Sequence, residues 1–216
     1  MKKSAKKPGR PRQKRGVETR EALVVAAVEA LLQSDVYGLR LSQVAKIAGV
    51  PQSLVDYHFR EFEELLMAMV LYQLGKLKRA SIEAIERNSV DPRKALNAYI
   101  YAPFELAKDD RGFCAVWSSY YHLAVLHRSF GDLNRGVRET GHDRIQMLVQ
   151  NILVRESRIT SAPRTKTSEV ASGIQGLITG CGFIALAETG GDFLALAEVV
   201  VQNANRLIDA SFPLQD

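Results

Sequence analysis

The sequence predicts an all-α chain with a short N-terminal helical unit and a longer helical body. Three observations carry this reading. Apolar residues recur at helical spacing along almost the whole length. No stretch alternates apolar and polar residues as a half-buried strand would. Helix punctuation falls between the periodic segments, as Gly49-Val50-Pro51, Asp91-Pro92 and Thr189-Gly190-Gly191. At 216 residues with 46% hydrophobic side chains, the chain has enough apolar surface for a packed core.

In chain order, residues 18–34 read as a first helix, with Leu23, Ala26, Ala27, Ala30 and Leu31 on one face. Two short segments follow, Leu41–Ala48 and Gln52–His58. A long helix is expected over Phe62–Arg87. Asp91 caps the next, with Pro92 in its first turn, running to about Ala107. Asp109 or Asp110 opens another to about His127, and Asp132 or Asn134 a third to about Glu156. Residues 157–167 read as a linker. The last two helices are expected at Ser168–Glu188 and Asp192–Ser211.

The net charge of +5 is unevenly placed. Residues 1–16 hold Lys2, Lys3, Lys6, Lys7, Arg10, Arg12, Lys14 and Arg15 and no acid, so the remainder is slightly acidic. A basic arm of this kind addresses a polyanion, nucleic acid first and an acidic membrane surface second. Cys114 and Cys181 form no ligand spacing or disulfide framework and read as small buried hydrophobes. No apolar run follows the charged start as in a signal peptide, and apolar stretches are expected to stop short of a membrane span. A soluble, cytoplasmic protein acting at the nucleoid is therefore expected, with no membrane partner. His58, His122, His127 and His142 have no metal-binding spacing, and neither a nucleophile motif nor a phosphate-binding glycine loop is present. No enzyme activity, cofactor, catalytic residue or metal site is expected.

The segment Leu41–Arg60, LSQVAKIAGVPQSLVDYHFR, has the spacing of a helix-turn-helix. Its two short helices must cross steeply through a tight turn. Ala45 supplies the small residue where they touch, Gly49 the residue tolerant of left-handed backbone, and Val55 the apolar residue facing back to the core. Ile47, Val50 and Phe59 complete that small core. An ordinary helical hairpin is the plainer alternative.

Residues 18–66 resemble the DNA-binding domain of the TetR family. The resemblance rests on an alanine-rich first helix, Val44-Ala45-Lys46-Ile47-Ala48-Gly49-Val50, Tyr57-His58-Phe59 and Glu63-Glu64-Leu65. It implies a disordered basic arm over 1–16, a helix-turn-helix DNA-binding domain over 17–61 and a helical ligand-sensing and dimerisation domain over 62–216. Four positions depart from the family pattern. Asp35 stands where a glycine usually ends the first helix and is expected to tolerate left-handed backbone. Arg40 replaces the usual Thr cap, at a cost of about 1 kcal/mol. Asp56 replaces a frequent Tyr and Phe62 a frequent phosphate-touching Lys, which unsettles the contact list there.

Carried over residue by residue, the resemblance places Gln52 and Ser53 at the start of the recognition helix, within reach of base edges. Tyr57 and His58 match an aromatic pair that packs on sugar-phosphate; for His58 a half-buried packing role is the alternative. Ser42 and Lys46 are candidate phosphate contacts. Asp56 would be repelled by phosphate unless it accepts from a cytosine amino group or from a basic neighbour. In the arm, Pro8-Gly9-Arg10-Pro11 followed by Arg12 resembles an AT-hook, in which Arg enters a narrow A·T-rich minor groove. A plain solvated tail is the other reading, with Arg10 and Arg12 adding only non-specific affinity.

The body more weakly resembles the effector domain of the choline-responsive BetI-like branch, through Ala115-Val116-Trp117 and Gln175-Gly176-Leu177-Ile178-Thr179-Gly180. Phe104, Phe113, Trp117, Tyr120, Tyr121 and Phe183 are read either as the lining of a pocket for an unknown small-molecule effector or as core packing. Ile174, Leu177, Ile178, Cys181, Val200, Ala204 and Leu207 are read as a homodimer face of four helices, or as stripes buried within one subunit. The function implied is a ligand-released repressor that binds a palindromic double-stranded DNA operator as a homodimer. The alternative is a non-specific architectural, nucleoid DNA-binding protein.

Overall fold

The computed structural model describes residues 12–157, 164–187 and 191–213, and every regular element among them is an α-helix. They are α1 (Arg12–Gln33), α2 (Leu41–Ala48), α3 (Gln52–His58), α4 (Phe62–Arg87), α5 (Pro92–Asp109), α6 (Arg111–Leu126), α7 (Arg128–Arg155), α8 (Arg164–Ala187) and α9 (Phe193–Ser211). The chain divides between Tyr72 and Gln73, inside α4, into a head and a body. The expected boundary at 61/62 marks where α4 starts; the division by packing falls later along the same helix. Of the arm expected at 1–16, residues 1–11 lie outside the described residues, and α1 already begins at Arg12.

In the head, α1 buries Leu23, Val24, Ala26, Ala27, Ala30 and Leu31, the face its spacing predicted. The turn after it survives without its usual glycine, but not by the expected route. Asp35 is not left-handed, since Ser157 is the one described non-glycine residue with positive φ. Instead the Asp35 carboxylate accepts the Gly38 N–H at 2.6 Å, the side-chain-closed turn that Asp favours. At the start of α2, Arg40 supplies no side-chain acceptor, yet its own N–H donates to Gln43 Oε1 at 2.9 Å. Half of a capping box thus offsets the missing Thr.

The body core is built by α5, α7, α8 and α9 around Leu96, Ile100, Phe104, Ile145, Val149, Ile152, Ile174, Val200, Ala204 and Ile208. Helix α5 starts as expected, with Asp91 Oδ1 accepting from Arg93 N and Lys94 N behind Pro92. Helix α7 starts earlier than expected. Asp132 is an interior residue flanked by Arg128 and Arg135 at helical spacing, not a cap. Helix α8 also starts early, because Gln146 of α7 donates to Arg164 O at 2.9 Å and Thr167 Oγ1 at 3.0 Å and secures its first turn. That partner is distant in sequence and leaves no local signal.

One expectation about apolar stretches is corrected. Helix α8, with a mean hydropathy of 1.6 over its best window, is long and apolar enough by length and composition to cross a membrane. Its glycines do not interrupt it. The helix packs on α7 and α9 with Val170, Ala171 and Ile174 buried, and leaves most of its apolar window exposed.

Two ionic clusters, one centred on Arg93 and one on Asp110, tie the body together. Arg93 grips Glu156, the residue closing α7, through both Nε and Nη2; Nη2 also reaches Asp209 at 2.6 Å and Nη1 reaches Asn205 at 2.8 Å. Hydrogen bonding to Glu156 foremost holds the Arg93 guanidinium above its ordinary pKa despite partial burial. Lys76 of α4 donates to Asp110 Oδ2 at 2.7 Å, and Asp110 Oδ1 caps α6 by accepting Phe113 N–H at 2.9 Å. Burial pushes the Asp110 carboxyl up, but the Lys76 bond and the cap prevail and hold it below its ordinary 3.8.

Arg93→Met leaves two carboxylates without their cation. Because the Arg93 side chain is 24% exposed, solvent screens part of the loss. The expected cost is roughly 2 kcal/mol, read as a Tm about 4–8 °C lower by circular dichroism. For Asp110 the sign is that of a depressed carboxyl, whose stabilisation is present above 3.8 and fades as the pH falls below it. Asp110→Asn should therefore melt earlier than the parent at neutral pH, with the gap closing in acid.

Candidate nucleic-acid interface and effector body

Helix α3 has seven residues, too few to persist alone, so its position depends on what it buries. Val55 and Phe59 are fully buried. The Arg20 guanidinium of α1 lies 4.7 Å over the Phe59 ring, adding a cation–π contact. The turn between α2 and α3 is the left-handed one expected, with Gly49 at φ 66, ψ 32 and the Val50 N–H donating to Ala45 O at 3.0 Å. Glu64, from the Glu-Glu-Leu motif, accepts the Arg60 N–H at 3.0 Å and so joins the end of α3 to the start of α4.

With Val55 and Phe59 inward, the opposite face is set by the helical period. Ser42, Lys46, Gln52, Ser53 and Tyr57 are all exposed, and His58 is half-buried. Tyr57 is 77% exposed, large for an aromatic, and meets His58 edge-on at 5.3 Å between ring centroids. Asp56 and Arg60 are exposed as well. Arg40, by contrast, spends its guanidinium on the Tyr37 and Leu39 carbonyls. Arg10 lies outside the described residues, and Arg12 is the first residue of α1. The face therefore combines amide and hydroxyl groups able to read base edges with a lysine and an aromatic ring able to hold sugar-phosphate.

In the body, five of the six expected pocket aromatics come together. Phe113 stacks on Trp117 at 5.2 Å, Trp117 lies 5.6 Å from Tyr120 and 6.0 Å from Tyr121, and Tyr121 meets Phe183 at 5.8 Å. Phe104 belongs to the main core instead. The rings form a ladder. Phe113 and Tyr120 are buried at one end, and Phe183 is 55% exposed at the other. Burial pushes the Tyr120 phenol up to about 12, which keeps it neutral.

The expected dimer residues divide as well. Ile174, Val200 and Ala204 are fully buried inside the subunit, which removes them from any dimer face, while Leu177, Ile178, Cys181 and Leu207 are half-buried against the same core. Both apolar stripes obey the helical period, and spacing alone does not say which points inward. Gly173 serves α9 of the same chain: a Cβ there would lie 2.9 Å from Leu207 Cδ2. The outward side of α8 is instead Gly176, Gly180, Phe183 and Ile184, with Val199 of α9 also exposed.

Sequence reasoning missed Gln73. It stands on α4 in step with Leu66 and Met69, fully buried, and both its amide atoms lack a hydrogen-bond partner, as does the Tyr120 hydroxyl. A polar residue within an apolar stripe was the signal available. His142 bridges α7 to α8, with Nε2 3.1 Å from both the carbonyl and the hydroxyl of Ser168 and Nδ1 3.5 Å from Asp143. The likeness to a hydrolytic triad is superficial. A ring nitrogen facing a carbonyl carries the proton and cannot take one from serine.

No family model matches the chain. The HTH-type transcriptional regulator BetI of Rhizobium meliloti is 30% identical over 105 residues, a match spanning about half of each protein, 49% of this chain and 51% of the relative. The regulator of the same name from Pectobacterium atrosepticum is 27% identical over 168 residues, covering 74% of this chain and 78% of that one. Among solved structures, a TetR transcription regulator from Haloarcula marismortui superposes with a TM-score of 0.73 at 19% identity, over 90% of this chain and 98% of the other. A transcriptional regulator from Saccharomonospora viridis, crystallised with choline, superposes with a TM-score of 0.69 at 17% identity, over 89% and 96%.

An added Cβ at Gly49 would meet nothing within 4 Å, so the cost of replacing this residue is purely conformational. Gly49→Val should destabilise the head by about 1–2 kcal/mol, and Gly49→Asn by much less. Thermal melting of the two variants side by side measures the difference.

Proposed function

We propose that the chain is a TetR-family transcriptional regulator, a repressor that grips a palindromic operator as a homodimer and is released by a small molecule. The observation that carries the DNA-binding part is the solvent face of α2 and α3. Ser42, Lys46, Gln52, Ser53 and Tyr57 stand together on it while Val55 and Phe59 anchor the helix from behind. In this reading Gln52 pairs with adenine, Ser53 reads either base weakly, Lys46 and Ser42 touch phosphate, and Tyr57 lays its exposed ring along the sugar. His58, held edge-on to Tyr57, steadies that ring.

The dimer is formed by the outward side of α8 and α9, where Gly176 and Gly180 permit close helix approach and Phe183, Ile184 and Val199 supply apolar surface. A two-fold there sets two recognition helices about 34–36 Å apart, one turn of DNA. The effector acts by population shift, binding best to the form whose two heads are spaced wrongly for successive grooves. Helix α4, continuous from head into body, carries that shift. The choline held by the Saccharomonospora viridis structure makes choline the first effector to try. The protein works in the cytoplasm on chromosomal DNA.

Selection of random duplexes by the full chain at moderate salt tests the proposal. The expected result is enrichment of a palindrome, lost in Gln52→Ala and Tyr57→Ala. Uniform, steeply salt-dependent binding without enrichment would replace it with the architectural reading, in which the basic arm dominates.

A further inference from the structure

The head is acidic. Among residues 17–72 the basic side chains are Arg20, Arg40, Lys46 and Arg60, set against eight Asp and Glu. Two of those four cations are engaged within the fold. Arg20 lies over the Phe59 ring, and Arg40 donates to the Tyr37 and Leu39 carbonyls. Lys46 and Arg60 are exposed, but so are Asp56, Glu61, Glu63 and Glu64 between α3 and the first turn of α4. A duplex carries one negative charge per roughly 1.7 Å of its axis, and affinity for it comes largely from neutralising phosphate. The folded head on its own meets that charge with net repulsion.

The compensating charge stands just before α1. Residues 1–16 hold eight Lys or Arg and no acid, and residues 1–11 lie outside the described residues. Within them is Lys6-Lys7-Pro8-Gly9-Arg10-Pro11, joined to α1 at Arg12 with no intervening residue. Each proline disfavours helical backbone in the residue before it, here Lys7 and Arg10, and glycine lacks the Cβ that would hold a backbone off the floor of a groove. The reach also suits a duplex. Arg20 is eight residues after Arg12, about 12 Å of helix rise, and the two residues back to Arg10 add up to about 7 Å. Arg20 in turn marks the end of α3 through its contact with Phe59. That reach of about 19 Å is close to the half turn of DNA, about 17 Å, between a major groove and the minor groove beside it.

We infer that residues 6–11 bind the A·T-rich minor groove flanking the operator, with Arg10 inserted in the groove and Lys6 and Lys7 on its phosphates. The arm then sets flank specificity as well as supplying charge. This rests on the DNA-binding reading above. A·T tracts narrow the minor groove and strengthen its negative potential, and a guanidinium is more weakly hydrated than an ammonium. Arg10 is therefore the specificity-determining residue, and the distal lysines of the arm act through charge alone.

Operators recovered by selection, or the random-core pools themselves where none is recovered, are synthesised with A·T-tract or with G·C flanks and titrated with the full chain at fixed salt. The parent should bind the A·T-flanked duplexes about tenfold more tightly. Arg10→Lys keeps the charge and should abolish that preference, as should Arg10→Ala. Lys3→Ala should weaken both duplexes by the same factor and leave the preference intact. All three variants should melt with the parent, since the substitutions precede α1. A parent indifferent to its flanks, or an Arg10→Lys variant that keeps the preference, overturns the assignment and leaves a solvated cationic tail. Vesicles of equal parts phosphatidylserine and phosphatidylcholine offer the same charge without a groove. If they displace the A·T-flanked duplex at equal phosphate concentration, the arm is directed to membrane and the assignment falls. A palindrome enriched without flank preference overturns only the role of the arm, whereas flank preference without a palindrome supports the arm and overturns the operator reading.

Discussion

A helix of two turns cannot hold its own shape in water, and most of the surface proposed to face DNA is carried on one. Helix α3 exists because Val55 and Phe59 are removed from solvent behind it and because Gly49 turns the backbone left-handed at its entrance. Those two demands leave a single orientation for the remaining side chains. Gln52, Ser53 and Tyr57 are outward because Val55 is inward. The surface proposed to meet DNA is in this sense a by-product of a hydrophobic contact, and Arg20 over Phe59 and Glu64 on the Arg60 amide secure that contact from either side.

The body follows a different logic. Its helices are long enough to persist, so what needs fixing is their mutual register. Arg93 does this with a planar guanidinium that reaches α7 and α9 from α5, a geometry lysine could not reproduce. Helix α8 sits at the limit of this arrangement. One side is committed to α7 and α9, close enough that Gly173 is needed beside Leu207, and the other side leaves Phe183 and Ile184 in solvent. An apolar helix half-covered by its own subunit is a natural seat for a second copy.

The sequence made the local features plain and the distant ones obscure. Helices α2, α3 and α4 lie at the predicted bounds, because Gly49-Val50-Pro51 and the Glu-Glu-Leu motif are punctuation within a few residues of the ends they mark. The starts of α7 and α8 were misread because Asp132 looked like a cap and because Gln146, which secures α8, is distant in sequence. The exposed recognition residues follow from a single inward residue and a period of 3.6. The dimer stripe did not, since Ile174 and Val200 satisfy the same period as their outward neighbours and only packing distinguishes the two faces. Gln73 was legible in principle, as a polar interruption of the Leu66–Met69 stripe, but its lack of partners is a property of the folded interior alone.

The ladder of rings has an optical consequence. Trp117 is the chain's one tryptophan, and it lies in the body, stacked against Phe113 with Tyr121 between it and Phe183 on the outer side of α8. Its emission therefore arises from a single place, half shielded and half bordering the face assigned to the second copy, with no contribution from the head. Excited selectively, this indole is a built-in reporter of the packing around the body's ring ladder, while the exposed tyrosine of α3 stays dark.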